Sequence, residues 1–291
     1  VKELIIYKAV FVSSYTPVAG DLTVKDGVVI GHSIDVDENP AIVIPSTYNG
    51  ETITGIGYRL FYQSNLESIT LPSTLVSINE EAFRNCMKLT KLDISQCANL
   101  KSIGKTAFTF CKLTSLDLST CPTLEIIQSS AFTQNNISSL NLTNSSKLQI
   151  IGSNAFNGNQ LTSVNLSACT SLKTIEGGAF AYCPMPGFAL PKPTINNEVV
   201  STWVNSQNQT FNSESTVTDL FEGYTAKLKQ INVYSVETSI EFGTVDRGKT
   251  TRGAFNIFNQ SEDTLFIQTL VLPTGFTVLP YQAYIEPMSY W

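Results

Sequence analysis

Charge is scarce in this sequence of 291 residues: Asp, Glu, Lys and Arg make up 14% of it, against about 25% in an ordinary soluble domain. The 18 Lys and Arg are outnumbered by 24 Asp and Glu, and they form no cluster. Phosphate-backbone affinity grows with the number of cationic contacts, so this composition excludes a nucleic-acid partner. Histidine occurs once, as His32. Nucleophilic catalysis needs a Ser or Cys beside its base, and no such arrangement is visible, so the sequence indicates no catalytic residues and no enzyme. There are six cysteines but no C-x-x-C pair, which leaves no metal site and no cofactor to expect. No apolar run approaches the roughly 20 residues of a membrane-spanning helix. Ser, Thr, Asn and Gln stand where charges are missing, a composition more familiar outside cells than in cytosol. Val1 at the head of the chain, rather than Met, sets the expectation of a leader ahead of it.

What the sequence does contain is a repeat. Ala-Phe pairs recur at Ala82-Phe83, Ala107-Phe108, Ala131-Phe132, Ala155-Phe156 and Ala179-Phe180, in steps of 25, 24, 24 and 24 residues. A second apolar signature runs through Leu66-x-x-Ile69-x-Leu71, Leu89-x-x-Leu92-x-Ile94, Leu113-x-x-Leu116-x-Leu118, Ile137-x-x-Leu140-x-Leu142 and Leu161-x-x-Val164-x-Leu166. A third pairs Leu75 with Ile78, Leu100 with Ile103, Leu124 with Ile127, Leu148 with Ile151 and Leu172 with Ile175. Columns held to one period predict a solenoid, whose turns bury their inner faces only by stacking on one another. In the triplet the spaced apolar residues are expected to point inward and those between them outward, by the two-residue alternation of a strand.

The cysteines follow the same register. Cys86, Cys111 and Cys183 each stand three residues after the Phe, where other turns carry Asn135 and Asn159; Cys97, Cys121 and Cys169 share a column with Ser145. Cysteine is thus one choice in a small-polar column and is read as a free buried thiol. A bridge between Cys86 and Cys111, or Cys97 and Cys121, is the alternative, in strained geometry.

Four segments follow. Residues 1–60 read as an N-terminal cap and a first atypical repeat, residues 61–186 as the regular solenoid, residues 187–229 as a small β module punctuated by Pro184, Pro186, Pro191 and Pro193, and residues 230–291 as a period-two antiparallel β module. The fold class is mainly β: a solenoid with short irregular or 3-10 segments, followed by small β modules.

The outward columns beside the triplet supply the candidate binding residues Thr70, Thr90, Lys91, Asp93, Thr114, Asp117, Asn141 and Asn165. This face is small, hydroxyl-rich and mildly acidic, without aromatic anchors. Asp93 and Asp117, on successive strands, read as solvated carboxylates; the sharper reading is a weak calcium or polar-ligand point. Asp35-Val-Asp37-Glu38-Asn39 lacks the Gly and closing Glu of an EF-hand and reads as a turn. Asn-x-Ser/Thr sequons at Asn136, Asn141, Asn144, Asn165, Asn208 and Asn259 would matter in a eukaryotic source. Exposed aromatics are expected only at the end of the chain, as Tyr281, Tyr284, Tyr290 and Trp291.

The stretch Leu89-Thr-Lys-Leu-Asp-Ile-Ser-Gln-Cys-Ala-Asn-Leu-Lys-Ser-Ile-Gly-Lys-Thr-Ala-Phe-Thr-Phe-Cys111 resembles the BspA-like, or treponemal, leucine-rich repeat. The likeness covers about residues 21–190, although Asn79, Gln128 and Glu176 stand where Gly often follows the Ile. Around Trp203, residues 188–229 resemble an internalin-type B repeat, with Trp203 as its core residue. Residues 240–278 resemble immunoglobulin-like modules of the ASPM–SPD-2–hydin kind, with fewer strands than the usual seven; either the parent continues past Trp291 or the module leans on its neighbour. These resemblances imply a bacterial secreted or cell-surface protein whose job is adhesion to an extracellular protein or cell-surface ligand. The competing functions are polysaccharide capture and a structural spacer.

Overall fold

The computed structural model describes residues 14–227 apart from 196–197 and 200–201, together with the strands Val233–Ser235, Ile257–Asn259, Leu265–Phe266, Tyr284–Ile285 and Ser289–Tyr290. The chain divides into two compact units, Val1–Leu228 and Lys229–Trp291. No helix occurs among the described residues. The fold is a mainly β solenoid of about six turns.

Two columns become strands. The Leu-x-x-Ile column gives Ser77–Ile78, Ser102–Ile103, Ile126–Ile127, Ile150–Ile151 and Thr174–Ile175. They pair in parallel with Ile78, Ile103, Ile127, Ile151 and Ile175 in one register. Each of these isoleucines is buried; β-branched side chains suit a pleated wall. The ladder extends through Gly55–Ile56 to Val28–His32 at one end and belongs to an 11-stranded sheet. The triplet column gives shorter pieces. Ala41–Val43, Ser68–Thr70 and Lys91–Asp93 form one sheet, and Ser115–Asp117 pairs with Ser139–Asn141 in another.

The Ala-Phe column forms the spine. Seven phenylalanines, Phe61, Phe83, Phe108, Phe132, Phe156, Phe180 and Phe188, follow one another at centroid spacings of 4.9–5.6 Å. All but the last are nearly parallel; Phe188 tilts by 59° and ends the stack. His32 closes the other end, 4.7 Å from Phe61. Around the Phe, each turn carries two left-handed residues. One precedes the Ala, or Leu60 in the first turn (Arg59, Glu81, Thr106, Ser130, Asn154, Gly178); the other lies two beyond the Phe (Gln63, Asn85, Phe110, Gln134, Gly158, Tyr182). A left-handed residue interrupts any right-handed helical run, which is why this wall is a string of turns.

The small-polar column serves one purpose throughout. Its side chain donates to the Phe carbonyl of the preceding turn: Cys86 to Phe61 (2.9 Å), Cys111 to Phe83 (3.2 Å), Asn135 to Phe108 (2.8 Å), Asn159 to Phe132 (2.9 Å) and Cys183 to Phe156 (3.4 Å). Asn adds what Cys lacks, because Oδ1 of Asn135 and Asn159 accepts the N–H of Leu113 and Ile137. All six cysteines are free and buried, and burial pushes the Cys97 and Cys169 thiols up to about 12.

Residues 187–227 close the open end of the coil. Tyr224–Lys227 pairs antiparallel with Thr174–Ile175 and is followed in the sheet by Thr202–Asn205 and Thr210–Asn212. The reversal covers the edge that a further repeat would otherwise occupy. Trp203 is fully buried and its Nε1 donates to the Pro191 carbonyl at 2.9 Å. In the second unit Val233–Ser235 pairs with Ile257–Asn259, which pairs with Ser289–Tyr290, and Leu265–Phe266 pairs with Tyr284–Ile285. Most of the alternation read in residues 230–291 lies outside the described residues.

The first turn has a built-in pH dependence. Burial of His32 against Phe61 holds its imidazole below the usual value of 6.5, the backbone bonds opposing the shift being the weaker effect. The unfolded chain therefore takes up a proton at higher pH than the folded one, so stability falls as pH drops through about 6.5. Replacement of His32 by Phe is expected to flatten this part of a thermal-stability profile between pH 7.5 and 5. An unchanged slope would assign the dependence to other groups.

Candidate functional site

The triplet face positions its side chains by register. Lys91 lies beside Ser68 and Asp93 beside Thr70, while Asp117 lies beside Asn141. Thr90, Lys91, Asp93, Thr114, Asp117 and Asn165 are exposed; Thr70 and Asn141 are half-buried. The structure thus brings these residues onto one face. That face is less purely polar than the alternation implies, because the inward residues Leu92, Leu140 and Val164 are only partly covered.

The acidic column has a second task that the sequence reading missed. Oδ1 of Asp93 accepts the Ser95 N–H at 3.0 Å, and Asp117 accepts Ser119 N–H at 2.9 Å and its hydroxyl at 2.6 Å. Asn141 and Asn165 make the same bond to Thr143 (3.2 Å) and Ser167 (3.0 Å). This is the Asx turn, in which a short side chain bonds the backbone two residues on. Asp and Asn are interchangeable here because Oδ1 is what the turn needs, and the charge is surplus to that need. Asp35 behaves alike, accepting from Asp37 and Glu38. Among the described residues no group of three His, Cys, Asp or Glu stands placed to hold a metal ion.

The strongest electrostatic cluster lies elsewhere. Glu81, itself left-handed and buried, receives Arg59 and, at 2.7 Å, Arg84. These bonds, Arg59's first, hold its carboxyl below the usual range. The Arg59 guanidinium lies 4.9 Å from the Tyr58 ring and 5.0 Å from that of Tyr62. Each partner is already engaged, so the cluster pins the first two turns together.

Two grooves flank the closing segment. One, of about 160 Å³, is lined by Asn205, Gln209, Phe211, Asp219, Glu222 and Tyr224 among others; the other, of about 330 Å³, runs between Val164–Ser167 and Ala189–Lys192. Neither is lined by His or Cys.

The expectation that exposed aromatics would be confined to the chain's end is corrected. Tyr58 is 56% exposed, Phe110 44%, Tyr182 71% and Phe221 59%. Phe110 and Tyr182 occupy the left-handed position two beyond the Phe, where the turn aims the side chain outward. Their shared place in the repeat was the available signal. The four terminal aromatics have no described side-chain surroundings.

The family profile described as BspA type leucine rich repeat region, in 6 copies, matches residues 54–187 and 125–244. A comparison with curated proteins gives no match. Among solved structures, the pneumococcal vaccine antigen PcpA is 20% identical with a TM-score of 0.46, over 65% of this chain and 50% of that one. A leucine rich cell surface protein from Faecalibacterium prausnitzii is 19% identical with a TM-score of 0.32, over 65% and 57%. A leucine rich repeat protein of T. pallidum is 19% identical with a TM-score of 0.37, over 55% and 81%. The chain therefore spans about half the length of the pneumococcal antigen.

Proposed function

The chain belongs to the BspA-type leucine-rich repeat family, and from that premise we propose that it is a non-enzymatic recognition protein, exported to a bacterial surface or secreted, that binds an extracellular protein through the triplet face. The observation that carries this reading is the repetition of exposed Thr, Ser, Lys and Asp/Asn side chains in register on successive turns. A broad, shallow, polar array suits a protein partner better than a small molecule, which favours an enclosed apolar cleft. No helix among the described residues is long and apolar enough to cross a membrane.

The Asx bonds decide the right test. Charge reversal at Asp93 and Asp117 would break two turns as well as remove charge, whereas Asp93→Asn with Asp117→Asn keeps each Oδ1, as Asn141 and Asn165 do naturally. The double variant should hold its stability within about 0.5 kcal/mol. Its association with an immobilised extracellular protein that binds the parent should slow, since surface charges act mainly on the on-rate. Unchanged association, together with lost binding on deletion of residues 230–291, would move recognition to the second unit.

A further inference from the structure

We propose that the left-handed column two residues beyond each Phe forms a saccharide-binding strip centred on Tyr182 and Phe221. The proposal is independent of the triplet-face reading, since it concerns another wall of the coil. Six residues occupy the column, Gln63, Asn85, Phe110, Gln134, Gly158 and Tyr182, and all have positive φ. Gly and Asn tolerate that conformation, whereas a bulky aromatic there is an outlier. Phe110 at +58° and Tyr182 at +56° are therefore unfavourable backbone choices, and both rings are then turned toward water. Strain kept at an exposed position points to use rather than to packing.

The surroundings say what that use is. Tyr182 and Phe221 meet at 88° with centroids 5.1 Å apart, making a right-angled notch of two exposed rings. Phe221 is fixed in place: its N–H donates to Asp219 at 2.9 Å, and its carbonyl accepts the Gly178 N–H at 2.8 Å. One wall of the notch is thus anchored to the same turn that presents the other, a preorganised pair that loses little freedom on binding. Next along the strip, Gly158 has no side chain, and the Gln134 amide lies over its Cα, 2.3 Å from where a Cβ would stand. Asn157 adds a second, half-buried amide. Phe110 follows three turns from Tyr182, about 14 Å away at one strand spacing per turn.

Aromatic faces pack against the C–H face of a pyranose ring, burying apolar area, while amides both donate to and accept from hydroxyls. The column bears no charge, so a neutral glycan chain lying along the coil axis fits it, and a polyanion has nothing there to pair with. A flat protein contact would use the rings but would not require the amide between them.

The test is affinity electrophoresis of the full chain through gels containing mixed-linkage β-glucan, xylan, mannan, starch or dextran, with heparin as the charged control. At least one neutral polymer should retard the parent chain. Phe221→Ala with Tyr182→Asn should weaken that retardation tenfold or more, and Phe110→Gln should weaken it less. The Asn and Gln replacements are residues the column already uses, so melting temperature should not fall with them. Retardation by no neutral polymer, by heparin alone, or undiminished in the Tyr182/Phe221 double variant would each overturn the proposal, the first of these leaving the strip to a protein contact.

Discussion

Phe132→Ala should lower the stability of the first unit by about 4 kcal/mol, in the middle of the range for a buried aromatic. Phe132 is fully buried and lies between Phe108, at 5.2 Å and 1°, and Phe156, at 5.4 Å and 5°. Neither neighbour can move in to fill the void, because each backbone is tied to the next by the Ala and Phe ladder: Phe108 N–H to Ala131 O and Phe132 N–H to Ala155 O, both 2.8 Å. The variant therefore loses transfer energy and two ring contacts, and keeps the cavity. In a coil stabilised by nearest neighbours, the defect should also uncouple the two halves, which urea denaturation would register as a broadened transition. A loss below about 1.5 kcal/mol would mean that the stack collapses around the gap and is not the spine described here.

The second large effect concerns a glycine without unusual dihedrals. A Cβ on Gly104 would stand 2.5 Å from the Asn79 carbonyl carbon and 2.6 Å from the Glu80 nitrogen. Both are backbone atoms, so no side chain can yield, and Gly104→Ala should cost about 3 kcal/mol or more, at or above the upper end for overpacking. Gly152 meets Gln128 and Ser129 in the same way. Gly50 is the control: its φ is +83° but nothing lies within 4 Å, so Ala there should cost only about 1 kcal/mol of conformational strain. Equal losses at positions 50 and 104, measured by chemical denaturation, would contradict the close lateral approach.

That contrast also bears on what the sequence can disclose. The three apolar columns were legible because burial demands them at one spacing. The turns without Gly after Ile looked like lapses of the motif, and the structure shows an alternation instead. Gln128 Oε1 accepts the Lys105 N–H at 3.0 Å, and Glu176 Oε2 accepts the Ser153 N–H at 2.7 Å. Each long acceptor thus caps the backbone just after the Gly of the preceding turn, at Gly104 and Gly152. No single repeat contains both halves of that arrangement, so reading turns one at a time could not find it. The candidate site was half legible. Alternation placed Asp117 outward, and Thr90 and Thr114 are exposed although they stand in phase with the inward residues; nothing in the alternation hinted that Asp93 and Asp117 are turn formers. The Ser or Thr two residues after each Asp or Asn was the clue. Phe110 and Tyr182 were hidden by the opposite problem, since aromatic residues in a repeat read as core until the backbone shows a left-handed turn.

The claim at the centre of this account is that the triplet face meets the partner. Amide hydrogen exchange of the full chain, free and bound to an extracellular protein it captures, tests this most directly. Slowed exchange should fall in residues 67–71, 90–94, 114–118 and 138–142, one band per turn, with little change at Ser77–Ile78, Ser102–Ile103 and Ile126–Ile127 on the long sheet. Protection on the long sheet alone, or only within residues 230–291, would contradict it.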